Sequence, residues 1–399
     1  MSGQTPALAE RMQHIGLSPT MKGTIAAEKM RREGIDVVDL GAGEPDFPTP
    51  AHVTAAAHKA LDANFTKYTA NMGTLELREA IGFRYREDYG VSYAPDEIIA
   101  AAGGKQALYH AAMTLFGPGD EVVTHAPGWP TLLEQIKLAG ATPVVVTTRV
   151  EEGWALTADL LLSAVTPRTK AIIVNSPGNP TGALMSETEA KKLADEAAKR
   201  GLWIIVDLCY EGLVYDSVPH NLPKIFGDVM RDKLVLCGSA SKAYAMTGWR
   251  CGWVLAPKAI VAGCNALQSH ESSNVNSITQ KAVVAALTSS QDCVAEMRAV
   301  YKQRRDQVIE WLKEEPRLTC AVPQGAFYLY PSVQAFLSPS VPTSQAFTDG
   351  LLAKEFVVVP PAEAFEATAA FRLSYATSLE KLREGVTRII RYANSLPLK

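Results

Sequence analysis

The sequence predicts an α/β fold: a large domain with a mainly parallel sheet covered by helices on both faces, and a smaller α+β domain beside it. Three observations predict it. Short β-branched runs alternate with amphipathic helical stretches through the middle of the chain, and strands fed by helices pair in parallel and are covered on both faces. The alternation gives way near residue 290 to a long charged helix and a few late strands. The chain's 399 residues, 47% of them hydrophobic, suffice for two to three folding units.

The first 40 residues read as short helical pieces leading to a strand at Val37–Leu40. The helix at Ala107–Phe116 is opened by Ala102-Gly103-Gly104-Lys105-Gln106, whose small residues suit a helix start. Strands follow at Glu121–His125, Pro143–Thr147, Ala171–Asn175, Trp203–Leu208, Leu234–Gly238 and Cys251–Ala256. Between them, Ser186–Lys199 carries Leu193 and Ala197 in helical register, and Ser186 with Glu189 forms a capping box. A charged helix through Tyr301–Lys313 precedes strands at Ala326–Tyr330, Glu355–Val359 and Phe371–Tyr375. Residues 295–399 are expected to form the small domain, residues 1–45 to pack with it, and residues 46–294 to form the large one. In such sheets ligands sit at the carboxyl ends of the strands.

Composition excludes several function classes. The formal charge of −3 gives no reason for a nucleic-acid partner. No apolar stretch approaches the ~18 residues of a membrane span. The start, MSGQTPALAERMQ, lacks a basic segment followed by an apolar core, so export is not expected. The six cysteines form no C-x-x-C pair and read as buried thiols. The seven histidines form no H-E-x-x-H, so no metal is expected. A cytoplasmic location follows.

The most informative stretch is SASKAYAMTGWR, residues 239–250, just after the Leu234–Gly238 strand. Lys242 would project from the strand's carboxyl end into the crevice. Apolar and small neighbours would lower its pKa and favour an imine-forming amine. Ser239, Ser241 and Arg250 supply hydroxyls and a planar cation suited to a phosphate. A surface lysine is the commoner fate of any one lysine, but the density of phosphate-binding types here weighs against it. Gly103-Gly104-Lys105 at a helix start leaves backbone N–H groups for an anion, alone a weak signal. No Walker A loop surrounds it, and Gly41-Ala-Gly43-Glu-Pro-Asp46 does not complete a dinucleotide fingerprint.

Asp207 ends the apolar run Trp203-Ile-Ile-Val206, with Tyr210 three residues on. A carboxylate there needs a cation or donors, such as a protonated cofactor ring nitrogen; capping the next turn serves equally on this motif alone. Asn175-Ser-Pro-Gly-Asn179-Pro-Thr-Gly182 reads as a turn that could fix one amide rigidly. Arg372, within an apolar strand pattern, calls for a carboxylate from the protein or a ligand.

In this order the pieces resemble the fold-type I pyridoxal-phosphate enzymes, specifically the class I aminotransferases and their aspartate aminotransferase subgroup. The resemblance runs from Leu40-Gly-Ala-Gly-Glu-Pro-Asp-Phe47 to Arg372-Leu-Ser-Tyr-Ala-Thr377. S-x-S-K with an Arg eight residues on, preceded by N-P-T-G and D-x-x-Y, is specific as a set. It implies pyridoxal 5'-phosphate attached to Lys242, which then shuttles the substrate Cα proton. Asp207 resembles the carboxylate that keeps the ring nitrogen protonated, and Tyr210 and Asn179 the partners of the ring's phenolic oxygen. The amides of Gly104, Lys105 and Gln106, with Ser239, Ser241 and Arg250, match the phosphate cup. Trp129 matches the aromatic on the ring face. Tyr68 resembles a tyrosine that reaches the neighbouring subunit's cofactor, which implies a homodimer with shared sites. Arg372, with the Gly43 backbone, resembles the clamp on the substrate α-carboxylate. Trp129 and Asn179 would also meet the substrate.

Three features depart from the family pattern: Leu208 where many relatives carry an acidic residue, Pro360-Pro361-Ala-Glu-Ala-Phe365 in place of Pro-Gly before a late aromatic, and the polar stretch His270–Asn276. The implied activity moves an amino group from an L-amino acid to a 2-oxo acid. Lys105 favours aspartate with 2-oxoglutarate, since in one subgroup a lysine here meets the distal carboxylate. An aromatic or neutral donor is the alternative. A C–S lyase on the same scaffold and a regulator's effector-binding domain stand further off, the latter because it expects a DNA-binding extension.

Overall fold

The computed structural model describes residues 20–397 together with Leu8, Ala9, Met12, Ile15 and Gly16. The helical pieces expected before residue 20 therefore fall mostly outside the described residues; Thr20–Arg32 is a helix. In chain order the strands are β1 (Val38–Asp39), β2 (Ile98–Ala101), β3 (Glu121–Ala126), β4 (Thr142–Thr147), β5 (Thr169–Asn175) and β6 (Trp203–Asp207). They continue as β7 (Leu234–Ser239), β8 (Gly252–Leu255), β9 (Tyr328–Leu329), β10 (Val357–Val358) and β11 (Leu373–Ser374).

One seven-stranded sheet has the order β2-β8-β7-β6-β5-β3-β4. From β4 to β7 its neighbours are parallel, and β8 runs antiparallel to both β7 and β2. Period-two alternation divides the buried side chains between the two faces. Ile172, Val174, Ile204, Val206, Leu234 and Leu236 pack on one side, and Ala171, Ile173, Ile205, Val235 and Cys237 on the other. Covered on both faces, β2, β3 and β7 are buried at every residue; β2 is apolar throughout, while β3 also buries Glu121, Thr124 and His125 and β7 ends in the buried Ser239. β2 escapes the sequence reading because Ile-Ile-Ala-Ala is short and half alanine, the poorest strand signal of the set.

A separate apolar cluster holds Tyr301, Phe327, Phe347, Tyr375 and Ile389, joined by Leu40, Tyr210 and Tyr215. The two small sheets here, β1 with β10 and β9 with β11, pair over two positions each. The predicted strands are longer than these. Pro331 and Pro360-Pro361 follow them directly, and proline offers no N–H to extend a ladder. The helix Asp292–Leu312 bridges the two bodies: Val294 packs with the seven-stranded sheet's cluster, Met297 and Tyr301 with the other.

The predicted capping box forms only in part. Ser186 Oγ accepts from Glu189 N (3.2 Å) at the start of the helix Glu187–Lys199. The Glu189 carboxylate instead accepts from Ala158 N (2.6 Å), capping the neighbouring helix Ala158–Leu162. Among the described residues no helix is long and apolar enough to cross a membrane, and no three His, Cys, Asp or Glu side chains gather to hold a metal.

Candidate active site

The carboxyl ends of the strands converge on a cavity of about 320 Å³. Asn175 ends β5 beside Asp207, which ends β6, the two in register as neighbours. Ser239 ends β7 and leads into the single helical turn Ala240–Ala243, which carries Lys242. Helix Gly104–Leu115 opens just after β2, and Trp129 follows β3 by three residues. Arg372 reaches in from beside β11, so the cavity lies between the two packed bodies.

Of the expected residues, Gly43, Gly104, Lys105, Trp129, Asn179, Asp207, Tyr210, Ser239, Ser241, Lys242, Arg250 and Arg372 all line this cavity. Two stand apart. Gln106 turns away, its amide donating to Glu271 (3.1 Å) and Ser272 (2.9 Å), while its backbone N–H bonds Gly103 O within the helix. Tyr68 is 90% exposed and touches no part of its own chain's cavity. Six lining residues escaped the sequence reading as site residues: Gly41, Leu108, Asn175, Cys209, Thr247 and Tyr328. Asn175 and Thr247 sat in motifs already singled out. Tyr328 was hidden in an apolar strand pattern, and Cys209 read as a core thiol.

The electrostatics are those of a site with unmatched charges. Asp207 is buried, accepts one hydrogen bond from Cys209 N (3.0 Å), and pairs with no cation among the described residues. Burial pushes its pKa up to about 6, the Cys209 N–H opposing. The half-buried Lys242 donates through Nζ to Gly43 O. Desolvation holds its pKa below the ordinary lysine value, with Cys209 and Glu44 opposing. Arg372 is anchored by Nη1 to Asn179 Oδ1 (3.0 Å) and by Nη2 to Gly41 O (2.7 Å), while its buried Nε has no partner. Tyr210 and Tyr328 share a hydroxyl–hydroxyl bond of 2.8 Å.

The residues present fit a phosphorylated, ring-bearing cofactor with a basic nitrogen. A pyridinium N–H would supply the cation that buried Asp207 lacks. Ser239 Oγ donates to Ser241 Oγ (2.8 Å), and both lie beside Arg250 and the Gly104 helix start, a set of donors suited to a dianion. Glycine is required at this helix start: Gly103 has φ +89°, and a Cβ there would lie 2.5 Å from Arg250 Nη2. The Trp129 ring supplies an apolar wall, and Lys105 Nζ stands 5.1 Å from its centroid. Desolvation lowers the Lys105 pKa, and Arg250 adds to the shift.

The family model for aminotransferase class I and II matches residues 35–389. An aspartate/prephenate aminotransferase of Cereibacter sphaeroides is 38% identical over 396 residues, 98% of this chain and 99% of that protein. An aspartate aminotransferase of Geobacillus stearothermophilus is 39% identical over 386 residues, 96% of this chain and 98% of that one. The crystal structure of the aspartate aminotransferase from Rhizobium meliloti superposes with a TM-score of 0.94 at 37% identity, covering 98% of this chain and all of that one.

Proposed function

The chain belongs to the class I and II aminotransferases, and from that premise we propose that it transfers the amino group of L-aspartate to 2-oxoglutarate with pyridoxal 5'-phosphate on Lys242. The observation that carries this reading is the convergence of Lys242, Asp207, Arg372 and Lys105 on one cavity. When bound, the cofactor supplies an electron sink that acidifies the substrate Cα–H.

The chain's own groups do the rest. Asp207 holds a proton on the ring nitrogen through charge and hydrogen bonding. Tyr210 and Asn179 would be the partners of the ring's phenolic oxygen, and Trp129 would supply the apolar wall for the ring. Ser239, Ser241, Arg250 and the amides of Gly104 and Lys105 would hold the phosphate; Gln106, its N–H bonded to Gly103 O, drops out of the cup. Lys242, its pKa lowered by burial, would serve as the base that accepts the substrate Cα proton. Arg372 binds the α-carboxylate with the N–H groups its anchors leave free, assisted by the Gly43 backbone. Lys105 meets the distal carboxylate, which distinguishes aspartate from neutral donors. A second acceptor belongs in the same test: the Cereibacter relative's name includes prephenate, a 2-oxo acid with a further carboxylate.

The exposed Tyr68 fits a shared site, in which a homodimer partner's tyrosine reaches each phosphate. Residues 46–294 form the cofactor domain, and residues 295–399 with the N-terminal 45 the smaller one. A cytoplasmic location suits free amino-acid and oxo-acid substrates and the six unpaired cysteines. The test is a panel of amino donors against 2-oxoglutarate and prephenate. Aspartate should lead the panel. Preference for an aromatic or neutral donor would move the reading to that alternative, and pyruvate release from cysteine conjugates without an acceptor would favour a lyase.

A further inference from the structure

The loop that carries Tyr68 is tied down on both sides although the tyrosine itself touches little. Before it, Phe65 O accepts from Ser277 Oγ (2.8 Å). After it, Thr69 Oγ1 accepts from Gln280 Nε2 (2.9 Å), and Thr74 N donates to Gln280 Oε1 (2.8 Å). The same Gln280 amide donates to Val275 O (2.7 Å), fixing the polar stretch before the helix Ser277–Thr288. Gln268 adds a bond to Asn71 O (2.6 Å). Gln268 and Gln280 are both 0% exposed. Burying an amide is costly unless it is bonded, and here three of the five bonds go to one short loop, the others to Val275 O and Ala100 O.

A loop held this firmly, with a 90% exposed tyrosine at its head, is built to present that side chain to something outside the chain. We propose that Gln280 is a positioning residue for the partner subunit's site: it fixes the 65–74 loop in the pose from which Tyr68 crosses to the second copy. The inference rests on the shared-site reading above. A competing role exists within the chain. Thr279, one residue earlier, donates to Trp249 O (3.1 Å) beside Arg250, so Gln280 could instead brace its own subunit's phosphate cup.

Heterodimers with differently tagged chains separate the two roles. In the first, one chain carries Gln280→Met with Lys242→Ala and the other is wild type. The single lysine-bearing site is then served by the altered loop. In the second, Gln280→Met and Lys242→Ala are on different chains, so the lysine-bearing site is served by an intact loop. The readout is retention of pyridoxal phosphate on dialysis, followed by its absorbance. The first heterodimer should bind the cofactor about tenfold more weakly than a wild-type/Lys242→Ala control, and the second should match that control. In cofactor-free protein, the Thr74 amide should exchange faster in Gln280→Met. Equal losses in both heterodimers, loss only in the second, or no loss in either would overturn the proposal. Should Gln280→Met fail to assemble, Thr69→Val deletes the loop's side of one bond and should give a smaller loss of the same polarity. A matching pair with Tyr68→Phe in place of Gln280→Met tests the underlying reading separately. Polarity with Tyr68 but not with Gln280 removes only the inference; absence of polarity with Tyr68 removes both.

Discussion

Arg372 donates through Nη2 to the carbonyl of Gly41 at 2.7 Å, joining the loop after β1 to a strand near the other end of the chain. With Nη1 on Asn179 Oδ1, the guanidinium is held on two sides while Nε is buried without a partner. A lysine lacks the planar fork, and with both anchors kept it would have only one donor left for a carboxylate. Arg372→Lys should therefore lower kcat/KM for every amino donor about a hundredfold, chiefly through KM. An unchanged KM would remove Arg372 from the substrate site.

Asp207 should matter for chemistry and little for cofactor retention, because the phosphate is held by other groups. Asp207→Asn keeps the shape and removes the anion that holds the ring nitrogen's proton. Turnover should fall by orders of magnitude while the cofactor stays bound. Near-normal turnover would make Asp207 a structural residue.

Lys105 carries the choice of substrate. Lys105→Met keeps the stem and the backbone amide while deleting the charge. An ion pair in a partly desolvated crevice makes kcat/KM for aspartate fall roughly ten- to a hundredfold, while phenylalanine or alanine loses far less. Parallel losses for aspartate and phenylalanine would mean that Lys105 serves the phosphate instead, and would promote the aromatic or neutral-donor alternative.

Beside the site, Glu211 accepts from Tyr89 Oη (2.9 Å) and Tyr85 Oη (3.2 Å), with no cation paired to it among the described residues. Burial pushes its pKa from 4.5 up to about 8; Asp88 and Asp207 add to the rise and the two tyrosines oppose it. The folded protein thus keeps a proton that the unfolded chain releases. The associated stability is full below the unfolded pKa of 4.5 and is lost as pH rises through about 8. Cofactor-free Glu211→Gln should show a flatter fall in stability than wild type across that window. Parallel stability curves would show that Glu211 is ionised in the fold.

The sheet apart from β2 and twelve of the eighteen cavity-lining residues were legible in the sequence, largely for one physical reason. Residues at the ends of buried parallel strands, such as Asp207, Asn179 just beyond β5, and Lys242 just beyond β7, lie next to apolar runs that announce themselves. Of the residues delivered by the smaller body, Arg372 stood out as a cation within an apolar run, and Tyr328 did not. Tyr328 lies in a two-residue strand whose neighbours Ala326, Phe327, Leu329 and Tyr330 are all buried and apolar or aromatic, so nothing local sets it apart from core. Gln280 and Gln268 gave no signal either, because a buried amide's value lies in which distant backbone it meets. The Ser186–Glu189 pair shows the same limit: the motif fixed the helix start, but packing sent the glutamate to Ala158 instead.

The central claim is that Lys242 carries the cofactor. Borohydride reduction of the yellow holoenzyme followed by peptide mapping tests it most directly. The account predicts a single stable label on Lys242, absent from Lys242→Ala, with Lys105 unlabelled. A label on Lys105 or any other lysine, or an undiminished label in Lys242→Ala, would contradict it.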